Sequence, residues 1–162
     1  MIAIAAGELH GLALKSDGTV LAWGYGADGA LGDGSGGSSL VPQVVPGLTA
    51  GSGVVGIAAG GGDSFAVTTS GALLAWGNNV YGELGGGITS TYAYSPQDAG
   101  TVVGPRSAKV AAGYYQTLIA PVGSSFTCPQ MLFVGARGSS QHGREAPAGN
   151  LPPPIHSAWA RS

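Results

Sequence analysis

The strongest constraint on this chain is a repeat. Ile4-Ala5-Ala6-Gly7 returns as Ile57-Ala58-Ala59-Gly60, and Val110-Ala111-Ala112-Gly113 begins a third copy, each step being 53 residues. The same offset carries Gly18 to Gly71, Leu21 to Leu74, Ala22-Trp23-Gly24 to Ala75-Trp76-Gly77, and Gly29-Ala30-Leu31-Gly32 to Gly82-Glu83-Leu84-Gly85. No gap is needed from Ile4 to Gly34. A period of this size marks a repeat architecture, in which each unit buries its apolar face on its neighbour.

Each unit reads as short strands. Leu9 to Leu14 is an apolar run, Ser16-Asp17-Gly18 is a turn signal, and Thr19 to Trp23 is a return strand rich in β-branched and aromatic residues. The second unit repeats the plan with Ser64 to Thr68, the turn at Ser70-Gly71, and Ala72 to Trp76. Ile2 to Ala6 and Val54 to Ala59 supply a preceding strand, and Pro42 to Val45 a fourth. Its echo, Pro96-Gln97, lies one residue off register, and prolines there suit an edge strand. Three or four antiparallel strands per unit of ~50 residues is the arithmetic of a β-propeller blade. Strands apolar on both faces fit blades stacked face to face, which makes Trp23 and Trp76 interblade core. The expected fold is therefore all-β: an incomplete propeller of two blade repeats plus part of a third, with a mostly unstructured C-terminal tail. The units are residues 1–53, 54–106 and a partial 107–120, followed by 121–162.

Composition agrees. Glycine supplies 31 residues, charged residues are 9% and hydrophobic ones 44%, so neither a disordered tail nor a linker accounts for the chain. The net charge of −2 carries no nucleic-acid footprint. No apolar run is long enough to span a membrane. His10, His142 and His156 are too scattered for a zinc site, and Cys128 is alone, a free thiol or half of a bridge.

The repeated residues resemble the repeat of the regulator of chromosome condensation family. That pattern is an apolar strand ending in Ala-Gly, a His-containing strand, an Asp-Gly turn, a strand ending in Trp-Gly, and Gly-Gln-Leu-Gly. The matching residues are Gly7, His10, Asp17, Gly18, Trp23, Gly24, Gly29, Leu31 and Gly32 in the first unit. In the second they are Gly60, Gly71, Trp76, Gly77, Asn79, Gly82, Leu84 and Gly85, and Gly113 opens the third. Ala30 and Glu83 replace the glutamine, and Gly26 stands where asparagine is usual. The resemblance covers about residues 2–120. It implies a seven-bladed propeller in complete members, some promoting guanine-nucleotide exchange on a small GTPase and binding chromatin, many others acting as interaction platforms. No exchange residue can be carried over.

After Ala120 the pattern stops. Cys128-Pro129-Gln130-Met131-Leu132-Phe133-Val134-Gly135-Ala136-Arg137-Gly138-Ser139 resembles the opening strand of cutinase-like serine esterases. That resemblance, over residues 126–140, implies a disulfide-bonded cysteine and an oxyanion-type role for Ser139. The nucleophile elbow, Asp and His of that family are absent, so no turnover is expected. The last stretch, with Pro147 and Pro152 to Pro154, reads as disordered.

Other signals are weaker. Gly24-Tyr25-Gly26-Ala27-Asp28-Gly29 satisfies a dinucleotide pattern, but Asn79 replaces the middle glycine in the second unit and no helix signal follows. No cofactor is expected. Asp28 and Asp33 sit in a glycine-rich loop without the ligand set of a calcium site. His10 is replaced by Asp63 and Gln116, a polar strand position suited to a structural hydrogen bond. The loop Gly86 to Tyr94, with Tyr92 and Tyr94, reads as a solvated loop or a contact surface. The leading expectation is a non-catalytic interaction module, a piece of a longer repeat protein, with a protein partner and with open blade edges available for assembly. Alone it should be marginally stable. The alternatives are a guanine-nucleotide exchange factor and a truncated cutinase-like esterase. The compartment is not written in the chain.

Overall fold

The computed structural model describes residues 1–101, 109–114, 117–120 and 132–134. They form eleven strands and no helix. The first sheet is β1 (Ala3–Ala6), β2 (His10–Leu14), β3 (Val20–Gly24) and β4 (Ser39–Val44), paired in that order. The second is β5 (Val54–Ala59), β6 (Asp63–Thr68), β7 (Ala72–Asn78) and β8 (Tyr92–Thr101). A third sheet joins β9 (Lys109–Ala112), β10 (Thr117–Ala120) and β11 (Leu132–Val134) in the order β11-β10-β9. Every pairing is antiparallel.

The sequence period is also a period of register. His10 faces Gly24 and Leu12 faces Ala22 in the first sheet; Asp63 faces Gly77 and Phe65 faces Ala75 in the second. The register shifts between Ala22 and Gly24 and again between Ala75 and Gly77, so a bulge falls at each tryptophan. The turns repeat too. Gly18 and Gly71 have φ of +90° and +86°, and each closes on a carbonyl three residues back. The amide of Thr19 donates to the Asp17 carboxylate at 3.0 Å, which fixes the first turn.

The outer strands differ from expectation at their bounds. β4 begins at Ser39 rather than Pro42, and β8 begins at Tyr92 and runs to Thr101. β4 lies on the sheet edge, where a proline is tolerated. The reading of residues 86–94 as one loop therefore fails at its end, because Tyr92 and Tyr94 belong to β8.

The core lies between the first two sheets. β1 and β2 pack on β5, and β5 and β6 pack on β9. Leu12, Leu14, Val20, Phe65, Val67, Leu73 and Trp76 are fully enclosed. Each such side chain contributes about 1.5–3 kcal/mol by leaving water. One comparison shows what a neighbour does: Ile57 in β5 is 9% exposed, whereas Ile4, its counterpart in β1, is 79% exposed. The second sheet is covered on both faces and the first on one.

Candidate interaction site at one end of the sheets

Antiparallel order sends alternate connections to opposite ends. The β1–β2, β3–β4, β5–β6, β7–β8 and β9–β10 connections therefore share one end. The opposite end carries the β2–β3 turn, where Lys15 pairs with Asp17 at 3.5 Å. Lys15 is the single Lys or Arg in residues 1–101.

Polar contacts tie the first two sheets together near the shared end. The Ser64 hydroxyl donates to the Ala30 carbonyl at 2.8 Å and lies 2.9 Å from His10 Nε2. With the Ser64 proton committed to Ala30, His10 Nε2 is the donor in that pair. Burial lowers the His10 pKa and keeps the ring neutral. Trp76 Nε1 donates to the same Ala30 carbonyl at 2.9 Å. Glycines make room. A Cβ on Gly7 would strike the His10 ring and the Gly60 carbonyl; one on Gly60 would strike the Asp63 carboxyl and the Gly113 carbonyl. The recurring Ala-Gly is thus a close approach of one unit to the next.

The loops are braced differently. Asn79 Nδ2 donates to the carbonyls of Ile88 and Ser90, both at 2.9 Å, and its Oδ1 accepts from Leu84 N at 3.1 Å. The first unit has Gly26 in that place. The Gly26 amide donates to Ser38 Oγ at 3.2 Å, and a Cβ there would strike the Gly37 carbonyl.

Between the loops lies a cavity of about 230 Å³. Four carboxyl residues line it: Glu8, Asp28, Asp63 and Glu83. Glu8 is exposed, Asp28 half-buried, and the last two buried. Glu83 Oε2 accepts from Tyr81 N at 2.8 Å. Asp63 is 1% exposed and its Oδ2 has no hydrogen-bond partner. Burial, reinforced by the nearby Glu83 charge, pushes its pKa up to about 7. Tyr25, Tyr81 and Tyr114 stand around the same space. Asp33 is committed elsewhere, its two oxygens taken by the Ser35 amide and hydroxyl at 2.9 and 2.7 Å. Among the described residues no group of three His, Cys, Asp or Glu is placed to hold a metal ion.

The structure brings His10, Gly7, Gly60 and Trp76 to the junction of the first two sheets and leaves Asp17 and Gly18 at the far end. Trp23 is half-buried over Gly11. Leu31 and Leu84 are buried core, and Gly29, Gly32, Gly82 and Gly85 all have positive φ. Tyr92 and Tyr94 lie with ring centroids 6.3 Å apart, and the Tyr94 ring closes on Gly36 of the first unit. Cys128 and Ser139 lie outside the described residues. Sequence reasoning missed Ser64 and the Ala30 carbonyl as partners, and missed the grouping of Glu8, Asp28, Asp63 and Glu83. The available signal was the lack of any Lys or Arg but Lys15 across 101 residues.

Stacked four-stranded antiparallel sheets with a shared loop end are blades of a β-propeller. The Regulator of chromosome condensation (RCC1) repeat matches at residues 17–67 and 70–120, and a second description of that repeat matches at 1–30 and 54–83. The chain belongs to this family. It is 44% identical over 84 residues to the human E3 ubiquitin-protein ligase HERC2, covering 52% of this chain and 2% of that protein. It superimposes on human WBSCR16 with a TM-score of 0.67 at 29% identity, covering 74% of this chain and 30% of that one. It also superimposes on Prp20p of Saccharomyces cerevisiae with a TM-score of 0.59 at 28% identity, covering 74% and 28%. Prp20p is described with binding properties toward Gsp1p and histones. The chain therefore spans less than a third of each protein it is compared with here. Both matches end by residue 120, so the esterase resemblance of residues 126–140 gains no support from them. No described helix is long and apolar enough to cross a membrane.

Proposed function

We propose that the chain is an interaction module without chemistry of its own, built from units 1–53, 54–106 and 107–120, which presents the shared loop end to a protein partner. The observation that carries this reading is the lining of the loop-end cavity: four carboxyl residues and three tyrosines, contributed by both blades and by Tyr114 after β9. Acidic and aromatic groups gathered at one end make a recognition surface rather than a core. Nucleotide exchange, the activity class the family also contains, draws on no residue identified in this chain. The open face of the first blade, a cleft of about 540 Å³ lined by Ile4, Leu9, Gly11 and Trp23, would receive a further blade unit. Crosslinking the full chain in extract through a photoreactive group at Tyr25 tests the module reading. One partner should be captured, and competed away by unlabelled chain. A label spread without competition, or faster nucleotide release from a small GTPase, would displace the reading.

A further inference from the structure

We infer that the loop-end cavity takes the cationic end of a lysine or arginine side chain from a basic segment of a protein partner. The inference rests on the interaction-module reading and names what that module recognises. Glu8, Asp28, Asp63 and Glu83 line the cavity, and no Lys or Arg does. The one Lys or Arg in residues 1–101 is held at the far end of the sheet by Asp17, and His10, which also lines the cavity, is kept neutral by burial. Among residues 1–101 no Lys or Arg therefore neutralises this cluster.

The second observation is Asp63 itself. It is 1% exposed, it lines the cavity, and its Oδ2 lacks a hydrogen-bond partner. A buried carboxylate oxygen left unpaired is destabilising, and once Asp63 has released its proton an entering N–H supplies the missing donor. The acids surround a space instead of converging on a point, since no three of them are placed for a metal ion among the described residues. An ammonium with three donors, or a guanidinium with five, can bond acceptors separated in this way. The walls suit the rest of the side chain. Tyr25, Tyr81 and Tyr114 offer ring surface to an alkyl stem and a π-face to its charge. Leu9, Tyr25, Val80 and Tyr81 are exposed at the rim, an apolar margin for the backbone that carries the side chain. That margin is why the occupant is peptide-borne and not a free amine.

The test titrates the full chain with acetyl-Gly-Gly-Lys-Gly-Gly-amide, its arginine analogue and its norleucine analogue, following backbone amides by NMR. The lysine and arginine peptides should shift the Gly61 and Gly62 amides saturably, and norleucine should bind at least about tenfold more weakly. Glu8→Gln combined with Asp28→Asn should weaken the lysine peptide about tenfold with amides outside the cavity unmoved, since neither residue is core. Equal binding of norleucine, no saturable shift, or butylamine binding as well as the peptide would overturn the inference. A crosslinked partner whose capture survives the Glu8→Gln, Asp28→Asn change would overturn it too, while leaving the module reading in place.

Discussion

His10 in β2 of the first blade and Ser64 in β6 of the second meet at 2.9 Å, both buried, and the Ser64 hydroxyl donates a hydrogen bond to the Ala30 carbonyl at 2.8 Å. The two blades are therefore joined by directed bonds as well as by apolar packing. Ser64→Ala would strip His10 of its acceptor and Ala30 of a donor. The expected loss is about 1–3 kcal/mol, read as a lower urea midpoint with an unchanged slope. An unchanged midpoint would show that the bond adds nothing to the packing.

Trp76 and Trp23 occupy the same place in successive units, yet only Trp76 donates to Ala30. Trp76→Phe keeps an aromatic ring and removes that donor, so it should cost about 1–2 kcal/mol. Trp23→Phe should cost measurably less, because Trp23 stands half-buried on the open face. Thermal melts of the two variants side by side check the difference; equal losses would contradict it.

Asp63 makes stability depend on pH. Its folded pKa of about 7 lies above its ordinary 3.8, so the folded state holds a proton that the unfolded state has released between those values. That contribution is fully present below pH 3.8 and is lost as the pH rises through about 7. His10 acts in the opposite sense, its folded pKa being lowered by burial from 6.5, so its contribution is complete above pH 6.5. Asp63→Asn should remove the decline and leave the His10 rise. Urea titrations from pH 5 to 8 check this: a variant that still loses stability toward pH 8 would assign the decline to another group.

Gly24 and Gly47 both have positive φ, +107° and +83°, with different surroundings. A Cβ on Gly24 would strike the Leu9 carbonyl, whereas nothing lies within 4 Å of one on Gly47. Gly47→Ala should cost about 1–2 kcal/mol from the backbone alone. Gly24→Ala should cost at least twice as much, because strand β2 must shift. Matched denaturation curves decide it, and equal costs would mean that the backbone moves freely at Gly24.

The blades were legible because the period is carried by residues with one structural use each. Asp17-Gly18 can be little other than a turn, and Trp23-Gly24 marks a strand end in both units. The start of β4 was not legible, since Ser39 to Val41 carry no alternation and the strand begins where Ser39 pairs with Gly24 of β3. The same holds for the start of β8, where Tyr92 and Ala93 pair with Asn78 and Gly77 of β7. The acidic cavity was least legible. Glu8, Asp28, Asp63 and Glu83 fall at four different positions of the repeat, so the period that reveals the fold hides their meeting. Charge segregation along the chain was the clue, and it needs the topology to become a place.

The bond from Trp76 to Ala30 spans 46 residues of chain. A ribosome adding about 5–20 residues each second releases the Ala30 carbonyl about 2–9 s before Trp76. Once Val44 has followed, the first blade has all four strands, but its loop lacks the Trp76 donor until that residue emerges. Nascent chains therefore expose a half-built junction between the first two blades, and every pause in translation between Ala30 and Trp76 lengthens the window in which a stray strand could occupy it.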